Sequence, residues 1–187
     1  MGKLIKFTAS FLLLVSCCPV LADGEFPNGI VLEGTNVTVF APNGWWFSTH
    51  SHSIPASVSL LLPHPLKGGY EAGPDLQVWF ISDHLKVHSL STYEQQALND
   101  RYSKQQKRFY RTKIAGRPAL VSVTTFDRII DFVGGTGTTE KMVSESIVIQ
   151  DGSRLYRCTL TTEPRKYKLY KGSALKLCSG LRFNARK

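Results

Sequence analysis

Two runs of strand-forming residues, 141–150 and 154–162, flank Asp151 and Gly152, and this pair constrains the fold more than any other feature of the chain. Aspartate followed by glycine between such runs is a strong hairpin signal, because glycine takes the positive φ that a tight loop demands. The runs are expected to pair antiparallel. In the second, Tyr156, Cys158 and Leu160 fall at alternate positions and share one face.

The same signals recur along the chain. Ile30 to Phe40 reads as strand with a turn at Gly34 and Asn36, followed by the turn Pro42, Asn43, Gly44. Ser57 to Leu62 places Val58, Leu60 and Leu62 on one face, and Leu76 to Ser82 sets Val78 and Phe80 opposite Trp79 and Ile81. Residues 63–75, with three prolines and three glycines, form the loop between them. Phe109 to Ile114 and Ala119 to Arg128 are joined by the turn Ala115, Gly116, Arg117, Pro118. Ser91 with Glu94 has capping-box spacing for a helix to about Gln106, on which Tyr93, Ala97, Leu98 and Tyr102 recur at helical intervals. Pro164 suits the start of a closing helix with Leu169, Ala174, Leu177, Cys178 and Leu181 as its apolar positions, and Gly180 suits its end. Strands, helix, meander, helix: the fold class is α+β, a mostly antiparallel sheet packed against helices.

Lys3 and Lys6 precede the apolar run 7–15, and small or helix-breaking residues follow through Ser16, Pro19 and Ala22. A positive start, a short apolar core and a small-residue cut site make an export signal, and the run is too short for the roughly 20 residues a bilayer requires. Two cut sites stay open. Leu14, Val15, Ser16 and Cys17 resemble a bacterial lipobox, which makes Cys17 the lipid-attachment residue, whereas Val20, Leu21 and Ala22 suit ordinary signal peptidase. Residues 1–22 are thus read as the signal, 23–29 as a linker and 30–187 as one domain. Without Lys3 and Lys6 the chain keeps 21 Lys and Arg against 14 Asp and Glu, with basic clusters at 104–113 and 154–176. Such a charge suits anionic lipid heads, cell-wall polymers or an acidic protein, and export argues against nucleic acid.

Cys158 and Cys178 are the cysteine pair of the domain, and an oxidising compartment makes a disulfide between them the expectation. It would staple the closing helix to the sheet. With no CxxC, neither a thioredoxin motif nor a cysteine zinc site is indicated.

Candidate chemistry is sparse. His50 and His52 form an HxH pair, and His84 and His88, beside Asp83, have the spacing of one helix face, but a metal needs three or four ligands converging from separate segments. No metal site and no cofactor are assigned. Gly134 to Thr139 lacks the lysine of a phosphate loop and lies between two meander strands, so it reads as a connection. GxSxG and HExxH arrangements are absent, and no catalytic residue is assigned. Trp45 and Trp46 are adjacent and point to opposite faces if extended: either both are buried, one on each face of a sheet covered by helices on both sides, or one is exposed to stack on a sugar ring or anchor a protein.

The turn ending in Pro42, Asn43, Gly44, Trp45, the helix after Ser91, the strand closing at Ile114, Ala115, Gly116, the hairpin at Asp151, Gly152 with Tyr156, and the last helix leading to Leu181, Arg182, Phe183 resemble, in their order, the PsbP-like superfamily, which includes DcrB-like envelope lipoproteins. The resemblance spans about residues 30–183. It implies an α/β/α sandwich that serves as a binding or accessory module. The expected protein is an exported bacterial envelope component, periplasmic and lipid-anchored if Cys17 is used, that binds a protein or another envelope component as an inhibitor-type or assembly partner. The alternative from another class is a small periplasmic hydrolase or metal-dependent enzyme.

Overall fold

The computed structural model describes residues 29–48, 57–61, 74–99, 108–129 and 139–184. The apolar N-terminal segment with Cys17 and Ala22, the pair His50 and His52, and residues 134–138 of the glycine-rich run lie outside the described residues. The strands are β1 (Ile30–Val31), β2 (Val37–Val39), β3 (Trp46–Phe47), β4 (Ser57–Leu61), β5 (Asp75–Phe80), β6 (Phe109–Ile114), β7 (Arg117–Ile129), β8 (Thr139–Asp151), β9 (Arg154–Thr162) and β10 (Arg182–Phe183). The helices are α1 (Ser82–Leu85), α2 (Leu90–Asn99), α3 (Pro164–Tyr170) and α4 (Ser173–Ser179).

Strands β3 to β9 form one sheet in the order β3-β4-β5-β9-β8-β7-β6, antiparallel at every described pairing. The fold is α+β, as the order of signals implies. The meander β6–β7–β8–β9 is its longest part, with β7 and β8 in register from Ala119 opposite Ile149 to Ile129 opposite Thr139. Its tight links follow the turn chemistry: Ala115 (φ 47) and Gly116 (φ 78) both take the positive φ of a two-residue hairpin loop. The Asp151, Gly152 hairpin is displaced by one residue, because Asp151 still pairs with Arg154 and the loop is Gly152 and Ser153.

Helices cover the sheet on both faces. On one side Leu60, Leu76, Val78, Tyr156, Cys158, Leu160, Ile147 and Ile149 pack with Ala174, Leu177 and Cys178 of α4. A second sheet, β1-β2-β10, closes this layer through Leu32, Val37, Val39 and Leu181. On the other side Val148, Leu120 and Leu155 meet Ile81, Val87, Leu90 and Tyr93 of the α1–α2 segment.

Four expectations are corrected. The strand beginning near Leu76 stops at Phe80, since Ser82 opens α1 and its hydroxyl accepts the Leu155 amide at 2.7 Å. Helix α2 starts one residue before Ser91, and the capping side chain is that of Ser89, whose Oγ accepts the Thr92 amide at 3.1 Å. The single closing helix is two, divided at Gly172 (φ 85). The fourth concerns the chain end, where Arg182 and Phe183 continue as β10 beside β2, a pairing over more than 140 residues that no local pattern encodes.

Candidate functional site

A sheet buried under helices on both faces favours strands that are apolar at every position, whereas a half-solvated sheet alternates apolar and polar residues. This chain alternates. In β5 the buried positions are Leu76, Val78 and Phe80, and the half-buried ones are Asp75, Gln77 and Trp79. The register carries that parity across the sheet. Ser59 opposes Gln77, Gln77 opposes Thr159, Thr159 opposes Ser146, and Ser146 opposes Ser122. One row along, Asp75, Thr161, Ser144 and Thr124 line up in the same way, and Trp79 stands opposite Arg157. The face that α1 and α2 cover at one end is therefore a polar strip over the rest of its length.

The strip is internally organised. The Trp79 indole Nε1–H donates to Gln77 Oε1 at 2.8 Å, and Gln77 Nε2 donates to Asp75 Oδ2 at 2.7 Å, a relay running down one strand. The Arg157 guanidinium lies 5.2 Å from the Trp79 ring centroid, within cation–π range. Burial pushes the Asp75 carboxyl up to about 6, against the opposing pull of the Arg128 charge. Beside this relay, Ser146 Oγ, Thr159 Oγ1 and Arg157 Nε are buried and have no hydrogen-bond partner among the described residues. Ser146 and Thr159 are cross-strand neighbours, and Arg157 is the next residue of β9 on the same face. Polar groups so placed cost about 1–3 kcal/mol each while unpaired.

Trp45 and Trp46 divide between the two faces. Trp45 is 7% exposed in the core and meets Tyr170 edge-to-face at 6.1 Å between centroids. Trp46 is half-buried on edge strand β3, opposite Leu61, while its neighbour Phe47 turns to the core opposite Leu60. Parity puts Trp46 on the face of the polar strip. Cys158 and Cys178 are joined by a disulfide between β9 and α4. His84 lies on α1, but Lys86 at φ 53 ends that helix, so His88 does not share its face. Among the described residues no three His, Cys, Asp or Glu side chains are grouped to hold a metal, and no helix is long and apolar enough to cross a membrane.

Reading the chain strand by strand for its apolar positions misses this strip. The signal was present in the complementary positions: Ser57 and Ser59, Asp75 and Gln77, Ser144 and Ser146, and Arg157, Thr159 and Thr161. Each is a pair or triplet of polar residues spaced by two, and only the register reveals that they meet.

No protein-family model matches the chain, and no curated protein matches it in sequence. Solved structures do match. A protein from Bacteroides thetaiotaomicron VPI-5482 is 13% identical over 84% of this chain with a TM-score of 0.50, and the match spans about half of that protein's length, 48%. PA94 of Pseudomonas aeruginosa, a protein of unknown function, is 12% identical over 81% of this chain and 99% of its own, with a TM-score of 0.51. LpqN of Mycobacterium tuberculosis, involved in cell envelope biogenesis, is 11% identical over 78% of this chain and 81% of its own, at 0.46. Cyanobacterial PsbP from Synechocystis sp. PCC 6803 is 14% identical over 80% and 87%, at 0.42.

Proposed function

We propose that this chain is an exported, non-enzymatic binding module of the bacterial envelope, and that it holds a neutral polar group of an envelope component on the strip between Trp46 and Ser146. The observation that carries the reading is the set of buried polar atoms Ser146 Oγ, Thr159 Oγ1 and Arg157 Nε, adjacent on one sheet face and without a partner among the described residues. The hydroxyls donate and accept and the guanidinium donates, to amides or sugar hydroxyls alike, and Trp46 at the margin supplies an apolar surface on which such a ligand rests. Export is supported by the charged and apolar opening of the chain and by a disulfide, which persists in oxidising compartments.

The test is purification of the tagged full chain from the envelope fraction of its own cells in mild detergent. The wild type is expected to retain a stoichiometric envelope component that the Trp46→Ala/Gln77→Leu variant, checked for an unchanged melting transition, releases. The intact mass is expected to begin at an acylated Cys17 or at Asp23. A chain that keeps Met1, or a component held equally by both versions, sinks the reading.

A further inference from the structure

We propose that the outer face of α3 and α4 is a docking site for an anionic phospholipid surface. The inference is independent of the polar strip, from which it is separated by the sheet itself.

It begins with where the charge sits. Eight of the 23 lysines and arginines and none of the 14 acids fall in residues 164–187, so the rest of the chain is close to neutral and the excess of +9 is concentrated in this segment. A solvated basic face needs no such segregation. The one acid at its edge, Glu163, is engaged already: its carboxylate receives Lys166 Nζ and Arg165 Nε, and the Lys166 hydrogen bond is the largest influence holding it below the usual carboxylate range. Lys168, Lys171 and Lys176 are exposed and make no ion pair among the described residues.

Two leucines stand among these cations. Leu169 is 77% exposed and Leu175 44% exposed, although α4 buries Ala174, Leu177 and Cys178 beneath it. Both helices pack on the core face of the sheet, α4 through Ala174, Leu177 and Cys178 and α3 through Tyr167 and Tyr170, so Leu169 and Leu175 lie on the sides they leave to solvent. Neither leucine can turn inward, because the helix pair is fixed from below. Cys178 is bonded to Cys158 of β9, and Glu145 Oε2 of β8 accepts the Gly172 amide at 3.1 Å, at the joint between the helices. Tyr167 and Tyr170 are half-buried at the base, with polar tips on an apolar body.

Lysines ringing exposed leucines over tyrosines match the bilayer boundary, where apolar side chains enter the acyl region and each cation gains from anionic headgroups. An acidic protein would satisfy the lysines and leave Leu169 with no reason to be a leucine. Lipid satisfies both.

Flotation of the full chain with large vesicles at physiological salt is the test, using phosphatidylcholine alone or with a third phosphatidylglycerol. The apolar N-terminal run is common to every variant, so differences report on the helices. The wild type is expected to prefer the anionic vesicles, and Lys168→Glu/Lys171→Glu/Lys176→Glu to lose roughly a hundredfold of that preference, at about fivefold per lysine. Leu169→Asp is expected to weaken binding to both vesicles. A control of equal net charge, Arg108→Glu/Lys113→Glu/Lys141→Glu, is expected to retain most of the binding, since those positions are exposed elsewhere on the molecule. Equal binding to both vesicles, or an equal loss in the control, overturns the proposal, and so does capture of an acidic protein by the wild type with no affinity for either vesicle.

Discussion

Asp75 opens β5 with its carboxyl desolvated and bonded to Gln77, and it is the residue at which the strip bears most directly on stability. Its carboxyl is raised from 3.8 to about 6 in the folded protein, so between those values the native state holds a proton that the unfolded chain has released. The sign follows: stability from this group is greatest below about pH 4, falls as pH rises toward 6, and stays reduced above it. Asp75→Asn removes the ionisation and keeps an oxygen for Gln77. The variant is expected to melt higher than wild type at pH 7.5, by an amount equivalent to about 1–3 kcal/mol, and at nearly the same temperature at pH 4. Thermal melts across that range decide it, and a gain that does not depend on pH contradicts the assignment. Trp45 and Trp46 make the same point from the sequence side. Adjacency alone says that they face opposite ways, but only the pairing of Phe47 with Leu60 tells which of the two is core.

At the scale of the elements, local signals named the right segments and misplaced their ends. Ser91 and Glu94 have the spacing of a capping box, yet Ser89 caps α2 and Glu94 pairs with Arg111 of β6, tying helix to sheet edge. A tertiary ion pair has taken the glutamate that a local cap would use. Ser89→Ala is therefore expected to cost about 1 kcal/mol, and Ser91→Ala a few tenths at most. Urea unfolding of both variants distinguishes them, and the reverse order restores the capping box read from the sequence. The closing segment divides for a similar reason. Pro164 to Ser179 carries helix-forming residues throughout, but Gly172 takes φ 85 and its amide is held by Glu145, which turns the chain so that α4 can lie over β8 and β9. Lys86 in the left-handed region ends α1 after one turn, and the spacing of His84 and His88 loses its meaning with it.

For the whole molecule, the disulfide is the link between layers. Cys158 and Cys178 are both fully buried, and the bridge closes 20 residues that leave the sheet, form α3 and return as α4. In the chain-entropy account a loop of that size contributes about 3 kcal/mol. Replacing both cysteines with alanine is expected to lower stability by that order while far-UV circular dichroism keeps its native form, because the apolar contacts of Ala174 and Leu177 remain. An unchanged unfolding midpoint removes the staple. It also anchors α4, so the proposed docking face and this stability term share one covalent support. The sequence alone determined the α+β class, the antiparallel meander and the partner cysteines, because turn chemistry and period-two patterning are local and act over a few residues. Only the tertiary structure decided that β10 closes a second sheet with β2, that Trp46 and Asp75 share a face, and that the polar residues of five strands form one strip. Those relations depend on register between segments far apart in the chain, and register is set by how the whole core packs.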